Sequence, residues 1–165
     1  GNQATDPSIR ELELYYRNVS KPINIALSKP ATASNSHPAC PVSDINDGNP
    51  SESSRWAASD STLPAWVEID LGTPTRVNTL VLSENIVPEW ATARISEFAL
   101  QKWNGSAFET VFTFQGTIGD EHIFKFDTIE SEKVRILISA LRPDTSINSA
   151  GQTDPSLTEI ELYCY

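Results

Sequence analysis

Short stretches in which apolar and polar residues alternate dominate this chain. In the run 66–71, Val67, Ile69 and Leu71 alternate with acidic residues, and the run 134–138 follows the same pattern. A period of two is typical of strands with one buried face and one solvated face. Similar runs cover residues 24–33, 77–82, 98–103, 108–114, 122–126 and 157–163. The pattern therefore predicts about eight strands.

Turn signals separate these strands, and no ten-residue stretch shows a helical period. Asn104-Gly105 is a hairpin signal, because both residues accept the positive φ angles of a tight turn. Short strands at this spacing predict an all-β fold, an eight-stranded antiparallel β-sandwich of the jelly-roll type. Long loops in compact domains usually carry function, so we expect binding at 34–65, 83–95 and 140–156.

Residues 6–16 are written again near the end of the chain, at 154–164. Seven of the eleven positions are identical, and two more exchange Leu and Ile. The offset of 148 residues corresponds to a whole domain and not to a short structural repeat. We expect 1–16 to be the last strand of a preceding similar domain, 17–22 a linker, and 23–165 one complete domain. The alternative is that both copies pair within one sheet.

The charge of the chain excludes some partners. The 165 residues include 22 acidic and 12 basic side chains, which gives a net charge of −10. Sequence-independent binding to nucleic acid or to an anionic membrane needs Lys and Arg, so we expect neither partner. No apolar stretch approaches 18 residues, and the first residues do not begin a signal peptide. We expect a soluble protein whose export signal has been removed.

Cys40 and Cys164 are the only cysteines, in a chain rich in Ser, Thr, Asn and Pro. One disulfide in an exported domain fits this composition and would stabilise it by roughly 4–5 kcal/mol. Two free thiols in a cytosolic protein are the alternative. With only His37 and His122 as further soft ligands, the cysteines do not indicate a zinc site.

Six segments, taken in order, resemble the discoidin or factor V/VIII type C family, which includes carbohydrate-binding module family 32. They are 24–27, Asp47-Gly48 followed by Arg55-Trp56, 66–72, 77–82, 134–136 and 159–163. The stretch 98–105 is also similar to modules appended to bacterial α-L-fucosidases. The resemblance spans about residues 23–163. It implies an eight-stranded jelly roll, a structural calcium ion and a shallow sugar site on the loops at one end.

The acidic loop, residues 44–54, is rich in the oxygen donors that calcium prefers. It is about two residues longer than the family pattern, so Glu52 or Ser53 can take the place of Ser54 as a ligand. The alternative is an acidic turn without a metal. The calcium ligands that the resemblance implies are Asp44, Asp47, Asn49, Ser54, Thr158 and Glu159.

A sugar site needs an aromatic face and polar groups that bind neighbouring hydroxyls, for which Arg is well suited. Trp56 and Trp66 lie in strand-like segments, where we expect them to be core residues. The alternatives are that Glu84 and Arg94 form an ion pair that closes their loop, and that His37 is simply exposed. The candidate ligand-binding residues are Trp90, Glu84, Asn85, Arg94, Arg142, Asn148, Gln152 and His37.

Motifs of nucleophilic, metallopeptidase or nucleotide-dependent enzymes are absent from the sequence. We therefore expect a non-catalytic, calcium-stabilised carbohydrate-binding module that targets a larger secreted glycosidase or adhesin to glycans. The expected ligand is a galactoside, a fucoside or a related glycan, and the expected location is the exterior or cell surface of a bacterium. The isolated module should be monomeric, within a tandem multi-domain chain. The alternatives are an adhesion-type discoidin domain that binds protein or lipid, and a spacer that binds nothing.

Overall fold

The computed structural model describes residues 22–87, 91–143 and 154–165. The strands in these ranges are β1 (Ala31–Ala33), β2 (Trp56–Ala57), β3 (Ala65–Glu84), β4 (Ile95–Trp103), β5 (Phe108–Gln115), β6 (His122–Leu141) and β7 (Ser156–Tyr163). They form one antiparallel sheet in the order β2-β7-β3-β6-β4-β5. The remaining strand, β1, lies outside this order and pairs with β3. Val42–Asp44 is a short 3₁₀ turn. None of the described ranges contains a helix long and apolar enough to cross a membrane.

The two longest strands, β3 and β6, each serve two layers. The register between them shifts between Asp70 and Thr75. Before the shift, β3 pairs with β1 and with the last part of β6. This part of β6 also pairs with β4, which in turn pairs with β5. After the shift, β3 pairs with β7 and with the first part of β6. The sheet therefore folds over on itself into a sandwich.

One buried cluster fills the space between the two layers. Val67 and Ile69 from the first layer belong to the same cluster as Leu82 and Ile160 from the second. Trp56 is fully buried within it, and its Nε1 donates a hydrogen bond to the carbonyl of Asn35. The prediction that Trp56 is a core residue is therefore confirmed.

Trp66 occupies the other face of its strand, where the prediction of a core residue is wrong. The alternating pattern directs Val67 inward, so the residue before it must point outward. The guanidinium of Arg135 lies 4.6 Å from the ring centroid of Trp66. A cation over an aromatic face stabilises such a half-exposed ring.

The predicted all-β antiparallel sandwich is confirmed, with seven strands instead of eight. The runs 66–71 and 77–82 form one continuous strand, β3, and the runs 122–126 and 134–138 form another, β6. The run 24–33 supplies only β1 at its end, and the sequence pattern did not predict the two-residue β2. The expected strand remnant at 1–16 lies outside the described residues and stays a prediction, as does the linker.

The two termini of the described domain lie together. The side-chain oxygen of Asn24 accepts a hydrogen bond from the backbone N–H of Leu162, whose carbonyl accepts the N–H of Ile25. The Asn78 side chain binds both the N–H and the carbonyl of Tyr165. Both ends of the described domain are thus held near the last residues of β7.

The predicted disulfide between Cys40 and Cys164 is wrong, because β7 separates the two residues. Cys40 is buried beside β2, where its carbonyl accepts the N–H of Ala57, and Ala57 pairs with Ser156 at the start of β7. Cys164 follows the far end of that strand and is exposed. Eight residues of strand span about 26 Å, whereas a disulfide needs Cα atoms within about 7 Å. Both thiols are free.

The positions of the thiols predict their reactivity. A thiol reagent should modify Cys164 at once in the native protein and Cys40 much more slowly, because burial restricts access to Cys40. A reducing agent should leave the melting temperature unchanged, and Cys164→Ser should remove the fast phase alone. A melting temperature that falls on reduction would contradict the assignment of free thiols.

Candidate functional site

A polar cavity of about 230 Å³ lies at the end of the sandwich where β3 ends and β4 and β7 begin. Segments from all three long loops predicted to bind meet there. We call it the polar cavity. Its lining residues are His37, Ala39, Cys40, Arg55, Ala57, Ala58, Ser59, Asn85, Arg94, Asp154 and Ser156.

Two buried polar atoms in this cavity lack a hydrogen-bond partner. Asn85 is 2% exposed and Arg94 is 3% exposed, and within the described residues neither Asn85 Oδ1 nor Arg94 Nη1 has a hydrogen bond. Among the same residues, Arg94 Nη1 lies 3.6 Å from the carboxylate Oδ1 of Asp154. Buried polar atoms are almost always satisfied in native proteins, and exceptions mark places where something binds. These two atoms, an acceptor and a donor, give the cavity its binding chemistry.

Glu84 holds the backbone that carries Arg94. Its carboxylate accepts the N–H groups of Arg94 and Ile95 at 2.9 and 2.8 Å, and that of Gly119 at 3.3 Å. Burial raises the pKa of Glu84, and these three donors partly oppose the shift. Glu84 does not line the cavity, and no salt bridge joins it to the Arg94 guanidinium among the described residues. Its part is to position Arg94 through the backbone.

Arg142 also supports the cavity from outside. Its backbone N–H donates to the carbonyl of Arg94 at 2.7 Å, and its guanidinium donates to Thr117 Oγ1 and to the carbonyl of Gly116. The guanidinium is therefore engaged with the loop after β5. Arg142 is absent from the cavity lining.

His37 is exposed and contributes to the lining of the cavity, so its predicted part in ligand binding stays a prediction. Its Nδ1 accepts the backbone N–H of Ala39 at 3.2 Å, so the neutral ring carries its proton on Nε2 and can donate from there. The other predicted ligand-binding residues, Trp90, Asn148 and Gln152, lie outside the described residues.

Sequence reasoning missed two charged lining residues, Arg55 and Asp154. Each had a signal. Arg55 precedes the buried Trp56 in one of the segments that carry the family resemblance, and Asp154 opens the repeated eleven-residue string. Both positions therefore adjoin segments that the sequence analysis had already singled out, and they could have been named as candidates.

A larger groove of about 460 Å³ lies on the outer face of β3 and β6, away from the polar cavity. Val81, Ile123 and Phe126 contribute to it, together with the ring of Tyr165. None of its lining side chains has a buried polar atom left without a partner. Its walls therefore offer contact area without directed polar chemistry, and we place the candidate site in the smaller polar cavity.

The acidic loop packs against the middle of β7. The N–H of Ile160 donates to the carbonyl of Ile45 at 2.7 Å, which fixes the loop beside Glu159. Within the loop, the Asp47 carboxylate accepts the N–H of Asn49 at 2.8 Å and the hydroxyl of Ser54. Asp47 and Ser54 are thus brought together, and their part in binding calcium stays a prediction.

Glu159 faces this loop with little compensation for its charge. It is 2% exposed, and the described polar contacts to its carboxylate include the N–H of Gly48, at 3.2 and 3.3 Å from its two oxygens. Burial raises the pKa of Glu159 to about 8, and the charges of Asp47 and Glu161 add to the effect. A buried carboxylate next to a second one is a place where a cation would be stabilised.

The donor set at this place suits calcium better than a soft metal. Among the described residues, no group of three or more His, Cys, Asp and Glu side chains is arranged to hold a metal. A cation between Asp47 and Glu159 would therefore need hydroxyl and carbonyl oxygens as well, which calcium accepts readily. Asp44 and Asn49 lie in the same loop, and Thr158 adjoins Glu159 on β7. The oxygen donors of these residues are therefore of the kind that a calcium ion prefers.

The profile of the F5/F8 type C family, described as NedA-like, galactose-binding domain, matches residues 44–136, more than half of the chain. No curated protein matches the chain significantly.

Several solved structures share the fold. Chitosan-binding module 1 from a chitosanase/glucanase of Paenibacillus sp. IK-5 is 26% identical, with a TM-score of 0.70 over 87% of this chain and 100% of that one. The family 32 module of Clostridium perfringens NanJ, in complex with galactose, is 18% identical, with a TM-score of 0.66 over 83% of this chain and 94% of that one. SpGH29 is 24% identical, with a TM-score of 0.68 over 86% of this chain. This chain spans only 28% of the length of SpGH29.

The raised pKa of Glu159 predicts a pH dependence in the metal-free protein. The unfolded chain ionises this group near pH 4.5 and the folded chain near pH 8, so the folded state binds the extra proton between these values. The free energy of unfolding in the presence of a chelator should therefore fall as the pH rises from about 4.5 to about 8.

Thermal melts across this pH range would measure the slope. Glu159→Gln should flatten it, because the variant has no proton to release, whereas Glu130→Gln, at an exposed position in the middle of β6, should keep it. A slope that is the same in Glu159→Gln and the unmodified protein would show that another group is responsible.

Proposed function

Since the chain belongs to the F5/F8 type C family of NedA-like, galactose-binding domains, we propose that it is a non-catalytic carbohydrate-binding module whose sugar site is the polar cavity. The observation that carries the proposal is the pair of buried atoms without partners, Asn85 Oδ1 and Arg94 Nη1. A sugar hydroxyl both donates and accepts, so one ring can satisfy both atoms.

The ligands of similar proteins support a sugar over other partners. The NanJ module was solved with galactose, and a family 32 module of C. perfringens with N-acetylglucosamine-α-1,4-galactose. Chitosan-binding module 2 of the Paenibacillus enzyme was solved with chitotriose. We propose a galactoside, a fucoside or a related glycan as the ligand class.

We also propose that one calcium ion stabilises the module at the acidic loop. Asp47 and Glu159 would supply carboxylates, and Ser54 a hydroxyl, with further oxygens from Asp44, Asn49 and Thr158. The ion would offset the buried charge of Glu159 and tie the loop to β7, which begins at the polar cavity. Its role would be structural, with no part in chemistry.

The setting that we propose is a larger secreted bacterial glycosidase or adhesin with tandem modules. The repeated eleven-residue string supports a neighbouring copy, and the small share of SpGH29 that this chain covers supports a multi-domain parent. The module would hold its parent near a glycan, and several weak sites would act together by multivalency.

Sugar binding at the polar cavity is testable by calorimetry with galactose, L-fucose, N-acetylglucosamine, galacturonic acid and chitotriose. Asn85→Ala and Arg94→Lys should each weaken the binding of the best ligand about tenfold or more, because each loses a directed hydrogen bond in a buried site. Arg76→Lys, at an exposed position in the middle of β3, is the matched control. Absence of binding across the panel, or full affinity in both cavity variants, would rule out this site.

Calcium should raise the melting temperature of the chelated protein, because an ion bound only by the native state stabilises it by mass action. At a calcium concentration about 100 times Kd, the gain is about 2.7 kcal/mol. Asp47→Asn and Glu159→Gln should abolish the shift, and Glu130→Gln should retain it. Identical melts with calcium and with chelator would show that the acidic loop holds no ion.

A further inference from the structure

We infer that the polar cavity selects an acidic sugar, a pyranose that carries a carboxylate, over neutral sugars and amino sugars. This inference rests on the proposed function of the cavity as the sugar site. It concerns the charge of the ligand, on which the similar proteins give no single answer, since their ligands include galactose and chitotriose.

The described lining of the cavity includes charged residues of both signs. Arg55 and Arg94 contribute guanidinium groups, and Asp154 contributes a carboxylate. The guanidinium of Arg94 is buried in a chain whose net charge is −10. A guanidinium stays protonated in a protein, which means that this positive charge is permanent.

The charge of Arg94 is buried, and its counter-ion among the described residues, Asp154, is only loosely paired with it. Its side chain is 3% exposed, whereas that of Asp154, the acid nearest to it, is 26% exposed. The separation of 3.6 Å between Arg94 Nη1 and Asp154 Oδ1 is too long for a good hydrogen bond. Buried charges are normally paired and hydrogen-bonded. An anionic ligand would supply the missing partner.

The hydrogen-bonding capacity of the cavity points the same way. Arg94 Nη1 is a donor without an acceptor, and His37 donates from Nε2 because its Nδ1 is occupied by the Ala39 N–H. A carboxylate only accepts, and it matches the planar fork of an Arg with two parallel hydrogen bonds. The hydroxyls of the same sugar can donate to Asn85 Oδ1. A uronic acid therefore satisfies both buried atoms and the buried charge together.

Neutral sugars and amino sugars leave either the charge or the hydrogen-bonding capacity of Arg94 without a match. A neutral sugar can offer a hydroxyl to Arg94 but brings no charge. An amino sugar such as glucosamine brings an ammonium group, which only donates and repels the guanidinium group of Arg94. We therefore separate this cavity from that of a chitosan-binding module, despite the shared fold.

The decisive measurement compares ligands that differ only in charge. Calorimetric titrations with the methyl glycosides of galacturonic and glucuronic acid would be set against the methyl esters of the same compounds and against glucosamine. The better acid should bind about tenfold or more tightly than its ester, and high salt should reduce this preference. Glucosamine should bind most weakly. Equal or tighter binding of the ester would overturn the inference.

A single variant gives an independent readout. Asp154→Asn removes the carboxylate that competes with the ligand for Arg94, so affinity for the acid should rise several-fold while affinity for the ester changes little. Asp127→Asn, on β6 away from the cavity, makes the same charge change and should alter neither. A loss of affinity for the acid in Asp154→Asn would show that Asp154 binds the ligand itself, which would overturn the inference.

The two proposals fail in different ways. If galactose or an ester binds at the cavity as well as the acids do, the site takes sugars and only the charge selectivity is wrong. If none of these compounds binds, neither the sugar site nor its selectivity stands.

Discussion

The antiparallel pairing of β7 with β3 is the interaction on which both candidate sites depend. At its first residues, β7 pairs with Glu84, whose carboxylate holds the backbone of Arg94. Further along β7, Glu159 faces the acidic loop, and Ile160 fixes that loop by a backbone hydrogen bond. One strand thus aligns a polar cavity and an oxygen-rich loop along its length. Any change that shifts its register by one residue would turn Glu159 to the other face.

Several charged and polar side chains are buried near the sites, and this arrangement is costly unless the backbone supports it. Glu84 is satisfied by three peptide N–H groups. Arg94 and Asn85 are not, since each keeps one polar atom without a hydrogen-bond partner in the part of the chain that the structure describes. The fold therefore uses a satisfied carboxylate to hold an unsatisfied guanidinium in place. Binding groups fixed before the ligand arrives lose little conformational entropy on binding.

The alternation of apolar residues was enough to predict a β-sandwich, because one buried face per strand leaves few other architectures. It did not predict that β3 is continuous. Gly72 and Pro74 are turn signals, yet the chain passes them through a register shift and resumes pairing. The distance between Cys40 and Cys164 could not be predicted either, because local sequence patterns do not determine how far apart two residues lie in the folded sandwich.

The different roles of Glu84 and Asn85 in the binding loop could not be predicted from the sequence. Glu84 and Asn85 are neighbours of similar polarity, and the sequence offered both as ligand-binding residues. Glu84 turns to the backbone of β4, whereas Asn85 lines the cavity. Which of two adjacent polar residues faces a site depends on where the strand ends, and sequence patterns locate strand ends only to within a few residues.

Both ends of the domain meet near Leu162, whereas the polar cavity lies at the start of β7. A module that grips a fixed polymer by its cavity, and is pulled through a neighbour attached at either end, would transmit the tension along the axis of β7. The hydrogen bonds between β7 and β3 are perpendicular to that axis, so they would be loaded in shear, all at the same time. Shear shares a force among many bonds, whereas peeling would break them one by one. The topology therefore favours mechanical resistance in the direction in which a tether would pull.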